Sequence, residues 1–264
     1  MKVNQLLYAT NHTEPRYKFL DMLLGLAKVG LQECILVNTA ERVIPELYFQ
    51  EWRWHLSNLN IGVEVVGERG DLTDLILETV GERDISFVVA DFDATGASSS
   101  FRSAMKPLVK WLSIPLLIVN ERDAVSSRSH AGVFDRIMFI TDWSPASERA
   151  AAFLLRLGSL IKRIDIITVV QESLPIRDLR EIEERLQETR LLFLSHGSEA
   201  EYHIYSGRPI EEIMSAAKDY NASTIALSAR RRSFARTTLT NDLSCGLVGD
   251  LSCPMLLVPW FVSM

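Results

Sequence analysis

Two copies of one octapeptide constrain the fold of this chain more than any other feature. Residues 112–119 read LSIPLLIV and residues 251–258 read LSCPMLLV, with five of the eight positions identical. Each run is short and apolar, as is typical of a fully buried strand, and its Pro lies near the start, where a missing N–H costs least. Strands of this kind lie inside sheets, so two such similar copies indicate a duplicated domain.

The elements that precede each copy follow the same order. Both halves alternate short apolar runs with amphipathic stretches, and the run at 5–10 (QLLYAT) corresponds to the run at 136–141 (RIMFIT). This alternation predicts an α/β fold, with a mostly parallel sheet covered by helices on both faces. We expect two tandem open five-stranded sheets, with one domain at residues 1–122, a polar linker at 123–134 and a second domain at 135–264.

Helical spacing predicts which side chains of the helices face the sheets. Helices are expected at residues 45–59, 71–80 and 148–160. Apolar residues spaced three and four apart on two of the helices are expected in the core: Leu72, Leu75, Ile76, Ile210, Ile213 and Met214.

Composition and charge limit the classes of partner. A formal net charge of −6 gives no electrostatic reason to expect nucleic acid or an anionic membrane. No apolar run approaches the ~18 residues of a membrane span, and the first strand follows the start without a leader pattern.

The cysteines Cys34, Cys245 and Cys253 form no CxxC pair, which favours reduced thiols and a cytoplasmic location.

Two loops in each half are candidates for a ligand site. Open α/β sheets bind ligands at the carboxyl ends of strands, where the strand order switches. The loops after the first and fourth strands meet this condition. In the second half they are residues 142–144 (DWS) and 229–243 (ARRRSFARTTLTNDL).

These motifs resemble the universal stress protein family. The similarity begins with the strand that ends in Asp142, followed by a Ser-containing turn and an Ala-rich helix. It continues with the turn at 207–209 (GRP) and the closing strand that follows Cys-Pro. The similarity extends more weakly to the first half, so the chain resembles a tandem universal stress protein. It implies Rossmann-like domains of the adenine nucleotide alpha hydrolase type, whose fifth strands pair antiparallel across a pseudo-two-fold axis.

The resemblance assigns that pairing to the two octapeptide strands. One strand runs from Ile114 to Val119 and the other from Met255 to Val258. Both lack the charges that would protect an exposed sheet edge. We expect an intramolecular pseudo-dimer built on these two strands, and a homo-oligomer remains open.

The family's nucleotide-binding members carry Gly-x2-Gly-x9-Gly-Ser/Thr after the fourth strand, where glycines let backbone amides approach phosphates. The four positions are occupied here by Ser228, Arg231, Asn241 and Asp242. Arg231 puts a long side chain where backbone must touch phosphate, and Asp242 puts a carboxylate beside a polyanion. In the first half Asn11 stands in the place of Asp142, and residues 90–96 (ADFDATG) hold two acids. ATP held in the family's usual way is therefore not expected in either half.

An adenine nucleotide, AMP or ATP, remains the alternative for the second half. The resemblance then implies these binding residues: Thr141, Asp142, Val169, Ser228, Arg230, Asn241, Asp242 and Leu243. Arg230 and its neighbours 231, 232 and 236 form either an anion clamp or a solvated charged loop. Asp142 either contacts the nucleotide or caps the helix that begins near Pro145, and Trp143 would fill part of the adenine pocket.

Other residue types give no catalytic or metal-binding pattern. The histidines lack paired ligand spacing, so each is expected to be an ordinary surface or half-buried residue: His12, His55, His130, His196 and His203. The aromatic cluster of Tyr48, Phe49, Trp52 and Trp54 is expected in the core or in a domain interface.

The sequence therefore predicts a cytoplasmic stress-response or regulatory protein that is not catalytic and needs neither metal nor cofactor. The alternative is an adenine-nucleotide-binding protein or weak ATPase that uses the second domain. An enzyme of the wider adenylate-binding superfamily is disfavoured, because neither an HIGH-type nor an SGGxDS-type phosphate motif follows either first strand.

Overall fold

A computed structural model describes residues 3–67, 69–92, 98–120, 132–170, 173–229 and 253–259, together with Leu247. Ten strands lie in these ranges: β1 (Gln5–Thr10), β2 (Glu33–Asn38), β3 (Gly62–Gly67), β4 (Phe87–Phe92), β5 (Leu116–Asn120), β6 (Arg136–Ile140), β7 (Arg163–Val170), β8 (Glu199–Ser206), β9 (Thr224–Ala229) and β10 (Met255–Pro259). The helices are α1 (Tyr17–Ala27), α2 (Pro45–Tyr48), α3 (Gln50–Asn58), α4 (Leu72–Glu82), α5 (Ser98–Trp111), α6 (Pro145–Arg156), α7 (Ile176–Ser195) and α8 (Pro209–Asp219).

The ten strands form one sheet in the order β3-β2-β1-β4-β5-β10-β9-β6-β7-β8. Neighbouring strands are parallel within each half, which confirms the predicted α/β architecture. β5 and β10 are antiparallel, and Leu117 lies opposite Leu256 at the centre of their three facing pairs. The strand order of one half is the reverse of the other, as a pseudo-two-fold axis through the β5–β10 pair requires.

The prolines of the octapeptide lie immediately before the fifth strand of each half. The carbonyl of Pro115 accepts a hydrogen bond from Val88 N at 2.9 Å, and the carbonyl of Pro254 accepts one from Ile225 N at 2.9 Å. The same bond at the same place in both halves is the structural counterpart of the sequence repeat. β5 begins one residue after Pro115, two residues later than predicted, because Pro has no N–H to donate to the ladder.

Two helix predictions need correction. The stretch predicted at 45–59 is divided at Phe49 into α2 and α3. The helix predicted at 148–160 begins at Pro145, where the capping argument for Asp142 placed its start, but it ends at Arg156 before a short 3-10 turn, Gly158–Leu160.

Side chains alternate along each strand between two apolar layers on opposite faces of the sheet. α1, α3, α6 and α7 cover one face, and α4, α5 and α8 cover the other. The predicted core residues Leu72, Ile76 and Ile213 are buried, while Leu75, Ile210 and Met214 are half-buried against the same layer. Of the aromatic cluster, Phe49 and Trp52 are fully buried and Tyr48 nearly so, whereas Trp54 is 61% exposed.

Two further findings bear on the environment of the chain. No helix in the part of the chain that the structure describes is long and apolar enough to cross a membrane. Cys34 in β2 is buried and forms no disulfide, and burial raises the pKa of its thiol. Cys245 and most of the linker lie outside the described residues.

The β5–β10 pair yields a test. We expect the amides of residues 116–118 and 255–257 to exchange as slowly as those in the middle of β1. Ile118, opposite Met255, directs its N–H towards β10, because the neighbouring Leu117 N–H faces β4. Ile118→Pro removes this backbone donor from the pair and should speed exchange across 255–257, whereas Ile118→Val keeps the donor and should not. Hydrogen exchange read by mass spectrometry measures both, and unchanged protection of 255–257 in Ile118→Pro would contradict the pairing.

Candidate functional site

The carboxyl ends of the first and fourth strands meet at the switch point of each half. Asp91 of β4 lies opposite Val119 of β5, and Ser228 of β9 lies opposite Val258 of β10. Because Val119 and Val258 are the last residues of the two octapeptides, Asp91 and Ser228 occupy equivalent positions. The position where the resemblance places a phosphate-binding glycine therefore carries a buried carboxylate in the first half and a buried hydroxyl in the second.

In the first half, Asp91 is the centre of a polar network that we name the Asp91 cluster: Tyr8, His12, Arg16 and Asp91. The Asp91 side chain is fully buried, and its Oδ2 accepts a hydrogen bond from the Tyr8 hydroxyl at 2.5 Å. Its Oδ1 forms an ion pair with Nη1 of Arg16 and lies 3.2 Å from Nε2 of His12. Nη1 of Arg16 is also 2.9 Å from Nε2 of His12. One guanidinium thus compensates one buried carboxylate.

The turn after β1 positions two members of this cluster. The backbone N–H of His12 donates to Thr10 Oγ1 at 3.2 Å, and the side-chain amide of Asn38 donates to the His12 carbonyl at 3.1 Å. Arg16 is the N-cap residue of α1, and its guanidinium carbon lies 4.8 Å from the centre of the Phe19 ring. These contacts direct the side chains of His12 and Arg16 towards the end of β4.

Two phenols beside Asp91 are kept protonated. Burial is the largest cause that raises the pKa of Tyr8 well above its ordinary value, and the charge of Asp91 and the hydrogen bond to it add to the effect. Burial, followed by the charge of Asp91, also raises the pKa of Tyr48. The Tyr48 hydroxyl donates to the Glu14 carbonyl at 2.6 Å. Both hydroxyls are therefore donors at neutral pH.

The corresponding turn of the second half uses a carboxylate differently. Asp142 Oδ1 accepts from Ser144 N at 3.1 Å, from Ser144 Oγ at 2.5 Å and from Ser147 Oγ at 2.6 Å. Ser144 is the N-cap of α6, since its Oγ accepts from Ser147 N at 3.2 Å. The helix cap is thus Ser144, and Asp142 supports the cap instead of forming it, which corrects the capping alternative for Asp142.

Trp143 has an unusual backbone conformation in this turn. Its φ is +57°, in the left-handed region, and its half-buried indole packs against one of the apolar layers. Within the described residues, its buried Nε1 has no hydrogen-bond partner. The predicted adenine-filling role of Trp143 stays a prediction.

Half of the predicted nucleotide-binding residues lie at the carboxyl edge of the second half. Thr141 is buried at the end of β6, and its carbonyl accepts from Thr168 Oγ1 at 3.0 Å, which ties it to β7. Val169 follows on β7 and is half-buried, and Ser228 is buried on β9. The other four predicted residues lie outside the described residues: Arg230, Asn241, Asp242 and Leu243.

Sequence reasoning missed the Asp91 cluster. His12 is 8% exposed and lies against Asp91, so the expectation of an ordinary surface or half-buried residue is wrong for it. The equivalent second-half residues of Tyr8, His12 and Arg16 are Phe139, Trp143 and Ser147. One signal was available, because an acid in the otherwise apolar strand FVVADF requires a compensating cation.

Removal of the cation should expose the cost of burying Asp91. Arg16→Ala leaves a buried carboxylate without its counter-charge, and we expect it to lower the free energy of unfolding by about 3–5 kcal/mol. Arg185→Ala breaks the exposed pair with Glu181 (2.8 Å) and should cost less than about 1 kcal/mol. Urea unfolding measures both. The double variant Asp91→Ser, Arg16→Ala should lose clearly less free energy of unfolding than the two single variants lose in sum, because the two side chains interact. A loss equal to that sum would contradict the interaction between Asp91 and Arg16.

The raised pKa of Tyr8 predicts a loss of stability at alkaline pH. Above pH about 10 the unfolded chain releases the phenolic proton while the folded protein keeps it. The contribution of Tyr8 to the free energy of unfolding is therefore fully present below that pH and is lost as the pH rises. Each such tyrosine contributes a slope of at most ~1.4 kcal/mol per pH unit. Tyr8→Phe should flatten the fall measured by urea unfolding between pH 9 and 11, and an unchanged slope would speak against this.

Comparison with known proteins gives the family of the second half. Residues 134–259 match the Universal stress protein family. Among solved structures, the chain is similar to a universal stress protein from Archaeoglobus fulgidus, with a TM-score of 0.68, 19% identity, and coverage of 98% of this chain and 97% of that chain. It is also similar to a putative universal stress protein from Pseudomonas aeruginosa, with a TM-score of 0.68, 14% identity, and coverage of 97% and 93%.

A third similar structure is the cytoplasmic domain of a prokaryotic cation chloride cotransporter, with a TM-score of 0.58, 11% identity, and coverage of 97% of this chain and 95% of that chain. No curated protein sequence matches the chain. Residues 134–259 therefore form a universal stress protein domain, in a chain whose whole length has the fold of solved universal stress proteins.

Proposed function

We propose that this chain is a non-catalytic regulatory protein of the stress response, located in the cytoplasm, that acts through interaction instead of turnover. The observation that supports this most is the Asp91 cluster. It fills the carboxyl edge of the first half, where α/β sheets bind their ligands, with side chains that bond to one another.

A phosphate group has little to gain at this edge. It would meet the carboxylate of Asp91, and two unit charges of like sign about 4 Å apart repel by about 1–4 kcal/mol in surroundings between water and a protein surface. The guanidinium of Arg16 already serves Asp91, so an incoming phosphate competes for it. The low exposure of His12 and Asp91 also keeps a substrate away from the imidazole, which argues against catalysis there.

In the second half, the described part of the edge supports the same proposal. One oxygen of Asp142 accepts three hydrogen bonds that build the start of α6. Ser228 puts a side chain where backbone would have to approach a phosphate. The carboxylate of Asp142 thus has a structural role that needs no ligand.

An adenine nucleotide in the second half is the second candidate function. It is favoured by the placement of Thr141, Val169 and Ser228 at the carboxyl ends of three neighbouring strands, with the exposed Asp142 in the adjoining turn. AMP or ADP would fit this edge better than ATP, because fewer phosphate charges need compensation.

Nucleotide content and binding decide between the two candidates. We expect the purified, denatured full-length chain to release no adenine nucleotide in chromatography, and calorimetry to detect no micromolar Mg-ATP binding. Tight binding of any adenine nucleotide would overturn the non-nucleotide proposal. Asp142→Ala should then abolish binding while Asn11→Ala, the equivalent change in the first half, leaves it unchanged. An ATP hydrolysis assay on the same preparation tests the absence of turnover.

A further inference from the structure

A second polar cluster lies at the amino ends of β7 and β8, away from the carboxyl edge of the second half. Asp165 is buried on β7, and Glu201 of β8 lies opposite it. His203 follows Glu201 by two residues and so shares its face of the sheet. Tyr220, the C-cap residue of α8, packs on the His203 ring. This arrangement is independent of nucleotide binding and of the Asp91 cluster.

We propose that Asp165, Glu201 and His203 form a Zn²⁺ site. Each offers one ligand atom, and the three atoms lie within 4.8 Å of one another. A carboxylate pair with one imidazole is a ligand set that zinc accepts, and a water in the fourth position completes a tetrahedron. The imidazole favours zinc over Mg²⁺ or Ca²⁺, which prefer oxygen ligands.

The distance between two of the ligand atoms fits a metal better than a hydrogen bond. Nε2 of His203 lies 3.5 Å from Oδ1 of Asp165. Within the described residues this Nε2 is buried and has no hydrogen-bond partner. Two ligands at about 2.1 Å from a tetrahedral zinc ion are about 3.4 Å apart. The gap therefore has the width that one bound zinc ion would span.

The other nitrogen of His203 has a polar partner that can hold the ring in place, here a tyrosine hydroxyl. Nδ1 lies 3.2 Å from the Tyr220 hydroxyl, which accepts a hydrogen bond from the Tyr205 hydroxyl at 3.0 Å. The two rings stack with centres 4.4 Å apart and planes inclined by 24°. With zinc on Nε2, the proton of the imidazole resides on Nδ1 and is donated to Tyr220, so the ring is held in the required orientation.

The charge around the cluster also favours a cation. Arg163 donates to Asp165 Oδ2 through Nε at 3.2 Å and to Glu201 Oε2 through Nη2 at 2.7 Å. Its Nη2 also donates to Asp165 Oδ1 at 3.0 Å, a bond that a zinc ion on Oδ1 would have to displace. The bonds to Asp165 Oδ2 and Glu201 Oε2 can persist when a metal binds the other oxygens. The two carboxylates exceed the single positive charge of Arg163, so the cluster keeps a net negative charge. The side chain of Glu199 adds negative charge near Arg163, and the carbonyl end of α8 carries a partial negative charge.

Calorimetric titration of the full chain with ZnCl₂ tests the proposal, with MgCl₂ as a comparison. We expect one zinc ion per chain with micromolar affinity, no heat from Mg²⁺ at the same concentration, and a melting temperature raised by about 5 °C or more at a hundredfold excess over Kd. Glu201→Gln should weaken zinc binding at least tenfold. Because the Glu201 side chain is 56% exposed, this variant keeps the buried part of the cluster intact.

His203→Gln should abolish the site, and His196→Gln is its matched control. His196 belongs to the same half but bonds to Ser195 and Leu192 at the end of α7, away from the cluster. Circular dichroism confirms that each variant is folded. The proposal is overturned if the parent shows no saturable zinc binding, or if Glu201→Gln and His203→Gln bind zinc as tightly as His196→Gln does.

Discussion

The antiparallel pairing of β5 with β10 is the interaction on which the architecture depends. Both strands are fully apolar over their paired residues, and each would otherwise be the unprotected edge of a five-stranded sheet. Their pairing places them at the centre of a ten-stranded sheet. Because the two strands run in opposite directions, every parallel strand of one half is antiparallel to those of the other. The carboxyl edges of the halves therefore lie at opposite rims of the sheet.

The two halves share a backbone plan but differ at their carboxyl edges in a correlated way. An acid at the position of Asp91 is tolerable only with a cation and hydrogen-bond donors nearby, since an uncompensated buried charge costs several kcal/mol. Tyr8, His12 and Arg16 are the side chains that supply this compensation around Asp91. The second half has an aromatic or hydroxyl side chain at each equivalent position. The carboxyl edge of the first half thus holds an internal ion pair that the equivalent residues of the second half cannot form.

Periodicity and the repeat were sufficient to predict the strands, the two helical layers and the parallel order. β1 matches its predicted residues, because its apolar pattern is bounded by polar residues at both ends. The break of the helix at Phe49 could not be predicted, since that residue is as apolar as its helical neighbours and is buried like them. The Asp91 cluster was also missed, because Arg16 and Asp91 are separated by a strand crossover and no local pattern joins them. The same holds for Asp165 and His203, which only the pairing of β7 with β8 brings together.

The reversal of direction at the β5–β10 pair has a consequence for how the polar clusters act. The amino ends of β7 and β8 share a rim of the sheet with the carboxyl ends of β1 and β4, so the cluster around Asp165 and the Asp91 cluster lie on one side of the molecule. From β4 to β7 there are five strand spacings of about 4.8 Å, or about 24 Å in all. Two unit charges about 24 Å apart interact by about 0.2–0.7 kcal/mol at effective dielectric constants of about 80 to 20. A charge placed at one cluster therefore has little electrostatic effect on the other.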